Sequence, residues 1–211
     1  GRAALTVVLV GPSHRAAFAG VAVQAHGEWE TPLGRAAIDE ATAEALVSAG
    51  EGLVFDDPLV HRPEHSLEMQ LPFLQRLVPA LRVVPLLMGS QSREEVAGLA
   101  KALARGLAGR DVLLVASSDL SHYEPAPVAN RLDALVVDLV ARYDEEGLLA
   151  RLEREQNVAC GGGPIVAVMM AARALGADHA TVLRYADSGD AAGDKSQVVG
   201  YVSAALTASA S

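Results

Sequence analysis

Several things are scarce in this sequence, and each scarcity excludes something. Only one of the 211 residues is cysteine, Cys160. No intrachain disulfide can form, and a lone thiol fits a reducing compartment such as the cytoplasm, or a cysteine kept for its chemistry. Aromatic residues make up 4%, too few for a platform that stacks single-stranded bases. The 17 Lys and Arg are outnumbered by 26 Asp and Glu, for a net charge of −9. An acidic chain is a poor non-specific ligand for nucleic acid. No apolar run reaches the roughly 18 residues that would suggest a membrane span. The opening Gly1-Arg2-Ala3-Ala4-Leu5 does not read as a signal peptide. Repeats, low-complexity tracts and the Gly-Lys-Ser/Thr ending of a phosphate loop are missing too. Neither nucleic acid nor membrane is therefore expected as a partner.

What is present is apolar. Hydrophobic residues make up 51% of the chain and charged residues 20%, enough for a core and against disorder. Short apolar runs alternate with helical patterns, the signature of an α/β protein. Leu5 to Val10, Arg82 to Met88 and Asp111 to Ala116 are runs without polar alternation, as in inner strands of a parallel sheet. They are expected side by side. Thr181 to Ala186 and Val198 to Ala205 read as late strands. Pro85 either weakens its strand or sits where no ladder donor is needed. Helices are expected over Ile38 to Ser48, His65 to Val78 with a kink at Pro72, and Ser92 to Leu107 behind a capping box. Others follow over Val128 to Tyr143, Glu145 to Glu155 and Pro164 to Leu175, the last buried on nearly all sides. A three-layer α/β/α sandwich with a mostly parallel central sheet is the expected fold, in a single domain over 1–211.

Sites in open α/β sheets form at the carboxyl ends of strands, so polar residues there carry weight. Ser13 and His14 follow the first strand. Asp119 and His122, three apart after Asp111 to Ala116, can face one spot on a turn of helix, where the carboxylate can orient the imidazole. The plainer reading is that Ser118 or Asp119 caps the next helix. Cys160-Gly161-Gly162-Gly163-Pro164 precedes the buried helix. A thiol there lies near the positive end of a helix dipole, which favours thiolate, whereas the plainer reading is an inert thiol beside turn glycines. The glycines suggest close approach of the backbone to a ligand or another strand. His65 and Glu68 share a helix face by spacing, although the segment is not the His-Glu-x-x-His of zincins. His26, His61 and His179 are expected at the surface.

Taken together, the blocks GPSHR, TPLGRAAIDE, EHSLEMQLPFLQ, SSDLSHY, CGGGPI and YADSGDAAGDKSQVVGY resemble, in this order, the Memo family, whose bacterial and archaeal members are called AmmeMemoRadiSam system protein B. The resemblance implies a fold similar to the LigB-like class III extradiol dioxygenases. It implies a pocket with His14 and Cys160 as metal ligands for iron or copper, zinc less so, and with Asp119 and His122 as catalytic groups, His122 at the place of the dioxygenases' base. Ser13, His65, Glu68 and Gly161 are expected to line that pocket. The family's first metal-ligand His lies in a Pro-His-Ala-Gly-Tyr segment that this sequence does not contain. The usual first βα unit is thus expected to be lacking, the domain N-terminally incomplete and metal binding weak. AMMECR-type and radical-SAM proteins are the partners the resemblance implies, together with an unknown small-molecule substrate and a possible oligomer.

Three functions compete. The first is a metal-dependent, dioxygenase-like oxidoreductase, since imidazole with thiolate suits iron, copper or zinc. The second is a hydrolase with Cys160 as nucleophile and a His base. The third is a non-catalytic module that binds partner proteins.

Overall fold

Runs that are apolar on both faces must be covered on both faces, and β1 (Leu5–Pro12) meets that demand, with Val7 to Val10 fully buried. A computed structural model describes residues 5–155 and 157–209, so the opening residues 1–4 lie outside it. The chain divides into two compact units, Gly1–Ser117 and Ser118–Ser211.

In the first unit β1 is followed by β2 (Val21–Val23), β3 (Glu28–Thr31), β4 (Gly34–Ile38), α1 (Glu40–Ala49) and β5 (Val54–Asp56). Then come α2 (Leu71–Leu77), β6 (Leu81–Met88), α3 (Arg93–Leu107) and β7 (Val112–Ala116). Strand order along the sheet is β3-β4-β6-β1-β7, with β2 and β5 attached beside β6. The pairs β1–β6, β1–β7, β4–β6 and β2–β5 are parallel, and β2–β6 and β3–β4 antiparallel. The sheet is mostly parallel, and the three strands expected side by side are neighbours with their carboxyl ends together.

Pro85 lies inside β6, opposite Leu9. Its carbonyl accepts from the Gln24 N–H, so its nitrogen faces the same edge, where β4 pairing stops at Val83 and β2 pairing begins at Leu86. The absent donor costs nothing at that changeover. Helix α3 begins at the Ser92 cap, whose side chain accepts from the Glu95 N–H. The box is not reciprocal, because the Glu95 carboxylate accepts from the Gly20 N–H at 2.7 Å instead.

Three expectations fail in this unit. Ile38 ends a strand, and α1 begins after its Asp39 cap. No continuous helix spans His65 to Val78: a single 3-10 turn covers Glu68–Gln70 and α2 starts at Leu71, with Pro72 in its first turn rather than at a kink. Pro is tolerated there because the first-turn N–H groups have no intrahelical acceptor. His61 is not a surface residue but 5% exposed, its ring edge-on to Trp29 and Nε2 3.2 Å from the Ala22 carbonyl oxygen. His26 and His179 are exposed, as expected.

The second unit holds β8 (His122–Glu124), α4 (Ala126–Ala141), α5 (Glu145–Arg154), α6 (Gly162–Ala174), β9 (His179–Asp187), α7 (Gly189–Ala192) and β10 (Val198–Thr207). Its sheet is separate and antiparallel, in the order β8-β10-β9. The two late strands expected from the sequence therefore exist but do not join the parallel sheet. Asp133 of α4 is fully buried beneath this sheet's strands. It accepts from the Ser121 N–H at 3.0 Å and the Tyr185 hydroxyl at 2.7 Å. Gly200 of β10 leaves it room, since a Cβ there would fall 1.8 Å from the Asp133 Oδ2. No described helix is long and apolar enough to cross a membrane.

Candidate metal centre

The segment 117–121 leaves β7 as a loop, not a helix, and enters β8 at His122. Asp119 and His122 face one another all the same, with Nε2 3.5 Å from Oδ2. The three-residue spacing works through a loop rather than a helical turn. Neither Ser118 nor Asp119 caps the following helix, whose N-cap is Pro125. Two further devices hold His122. Ser121, next to it, is anchored on Asp133, and Tyr123 takes a left-handed backbone with φ 62°, a conformation uncommon for a bulky residue and concentrated at functional positions.

Cys160 joins this pair by main-chain stitching. Its N–H donates to the Asp119 carbonyl at 3.2 Å, and its Sγ accepts from the Asp119 N–H at 3.2 Å. The Gly161 N–H donates to the Ser118 hydroxyl at 2.9 Å, whose oxygen lies 3.9 Å from Sγ. Asp119, His122 and Cys160 thereby bring one ligand atom each within 4.8 Å of one another. Among the glycines after Cys160, Gly162 answers a local demand. A Cβ on Gly162 would meet Leu152 of α5 at 2.4 Å, so the close approach there is to a packed helix, neither ligand nor strand. Burial pushes the Cys160 thiol above its ordinary range, and the Asp119 carboxylate adds to this, while the hydrogen bonds from Asp119 and Ser118 pull the other way. Of the two readings of this thiol, desolvation favours the plainer one, a buried thiol that keeps its proton, over the dipole-favoured thiolate.

Imidazole, thiolate and carboxylate together fit a borderline or soft transition metal and not calcium or magnesium. A metal that displaces the thiol proton also removes the penalty of burying a thiolate.

The remaining sequence-derived residues lie in the first unit. The His14 Nδ1 is 3.2 Å from Oε1 of Glu64, and the His65 ring stands 6.3 Å from the His14 ring, centre to centre. The Ser13 hydroxyl donates to the Ala16 carbonyl at 2.7 Å. Glu68 is exposed on the 3-10 turn. The acid beside the histidines is Glu64, which the helical spacing argument passed over. Its side chain is 2% exposed. Burial alone would raise its pKa, but hydrogen bonds from His14, His65 and Ser66 outweigh that and hold it at about 2. Gly11 makes the neighbourhood compact, since a Cβ there would meet Leu67 at 2.6 Å.

Comparison with known proteins identifies the family and agrees with the class of fold. Residues 2–205 match the family described as Memo-like protein. A MEMO1 family protein of Methanothermobacter thermautotrophicus is 38% identical over 198 residues, 93% of this chain and 71% of that protein. Another from Methanopyrus kandleri is 41% identical over 200 residues, 93% of this chain and 70% of that one. The crystal structure of an uncharacterized Escherichia coli K12 protein superposes with a TM-score of 0.60 at 19% identity, covering 92% of this chain and 85% of that one, which speaks to the fold alone. This chain belongs to the Memo family.

Proposed function

We propose that this Memo-family chain binds a transition metal, redox-active iron or copper before zinc, which has no redox chemistry, with Cys160, His122 and Asp119 as ligands. The observation that carries this reading is the convergence of the three ligand atoms within 4.8 Å. The resemblance also gives His14 as a metal-ligating residue. The metal would supply one-electron or dioxygen chemistry. The protein's own part is to hold Asp119 against His122, to shield the sulfur and to fix the loop through Asp133. The likeness to class III extradiol dioxygenases in fold and reaction belongs to this proposal, as do AMMECR-type and radical-SAM partner proteins.

The hydrolase reading is the weaker one. A thiol whose pKa is pushed up by burial is a poor nucleophile at neutral pH. Anaerobic titration of untagged protein with iron(II) and copper(I) tests the proposal. One ion should bind per chain, and Cys160→Ser and His122→Ala should each weaken binding at least roughly tenfold. Binding indifferent to both substitutions would refute it.

A further inference from the structure

We infer that Glu64 is the positioning residue of His14: it holds the ring as the Nδ1–H tautomer and leaves Nε2 as the nitrogen offered to a ligand. The tautomer part stands on the first unit's geometry alone, and the metal part rests on the function proposed above.

The buried carboxylate has two occupied oxygens. Oε2 accepts from the His14 main-chain N–H at 2.5 Å. Oε1 accepts from the main-chain N–H groups of His65 at 2.8 Å and Ser66 at 2.9 Å. An oxygen that already accepts two N–H bonds carries no proton to give. The third group on Oε1, the His14 Nδ1 at 3.2 Å, must therefore be the donor. A neutral imidazole that donates from Nδ1 has its lone pair on Nε2, and the His14 side chain is 40% exposed, so the ring is not enclosed. Tying the chain at residue 14 to the turn at 64–66 needs only the main-chain bonds. The ring contact is additional, and it is the kind of carboxylate–histidine pairing that fixes the orientation and basicity of metal-ligating imidazoles. The His65 Nδ1, at 3.8 Å from the same oxygen, is too far for a hydrogen bond, so the orienting effect is specific to His14.

The test reads the tautomer directly, by long-range proton–nitrogen NMR on nitrogen-labelled protein without metal, with His14→Ala assigning the signals. The wild-type protein should show His14 protonated at Nδ1 and unprotonated at Nε2 at pH 8. In Glu64→Gln the preference should weaken or reverse, and affinity for copper(I) should fall about 10- to 100-fold, the usual cost of losing an outer-shell partner. An Nε2–H tautomer in the wild-type protein overturns the inference even if the variant fails to fold. A tautomer unchanged in a folded variant overturns it as well. A tautomer that shifts while metal affinity stays constant supports the positioning role and removes His14 from the metal site.

Discussion

Glu64 and Cys160 are each the centre of a polar cluster, but the bonds around them run differently. Donors enclose the Glu64 carboxylate: three main-chain N–H groups and one ring nitrogen point at it, with 2% of the side chain exposed. Around Cys160 the main chain does the tying, and the side chains of Asp119 and His122 are left facing the sulfur, 47% and 25% exposed. The first arrangement uses its charge to orient a neighbour. The second leaves an imidazole, a carboxylate and a thiol in reach of one ion. A buried carboxylate with a full set of donors is a strut, whereas convergent ligand atoms with partial exposure make a place for something to bind.

The largest effect should come from breaking the second cluster at its anchor. Asp133→Ala leaves the buried Ser121 N–H without its acceptor and takes from the Tyr185 hydroxyl one of its two acceptors, Asn130 remaining. It should cost roughly 3 kcal/mol in denaturant unfolding and loosen the metal site with it. Tyr185→Phe, which removes one donor and leaves the carboxylate, should cost about 1–2 kcal/mol.

Acid should act through groups of the first unit. Burial holds His61 neutral, down to about 4, whereas an unfolded histidine takes its proton near 6.5. The unfolded state therefore binds more protons between those values, and stability falls as pH drops from about 6.5 to about 4. His61→Gln should flatten that slope, worth about 3 kcal/mol at most. Glu64, depressed from 4.5 to about 2, contributes stability that is present above pH 4.5 and lost as pH falls toward 2. Both groups belong to the first unit, so amide protection there, corrected for the intrinsic exchange rate at each pH, should fall on acidification through these windows. A second unit that opened first would contradict this assignment.

The smallest effect concerns the thiol. Because burial raises its pKa, Cys160 should react with iodoacetamide at pH 7.5 several-fold more slowly than a free cysteine. Bound metal should slow it further. Faster labelling than the free thiol would restore the hydrolase reading.

How much of this was legible in the sequence follows physical lines. The inner strands were, because a run such as Leu5 to Val10 has no polar face to offer solvent. Strands β2 to β5 were not, since three to five residues give no periodicity to read. The helix expected at His65 failed because Pro72 suits a helix start, and leucines at helical spacing cannot tell a turn from a helix. The Asp119–His122 pairing was readable from spacing, though a loop delivers it. Its meeting with Cys160, on the far side of two helices, was a matter of tertiary packing and came only from family likeness. Glu64 was overlooked because, wedged between Pro63 and His65, it belongs to no periodic pattern; its signal was an acid in a turn beside a histidine. The surface reading of His61 rested on residue type alone, and packing against Trp29 overrode it.

The most direct measurement is X-ray absorption at the metal edge of protein loaded anaerobically with one equivalent of iron(II), for the native chain and Cys160→Ser. The native spectrum should contain one sulfur and at least one imidazole in the first shell, and the variant should lose the sulfur. A first shell of oxygen and nitrogen alone in both proteins would mean that Cys160 is not a ligand, and that the centre built on Asp119, His122 and Cys160 is not the metal site.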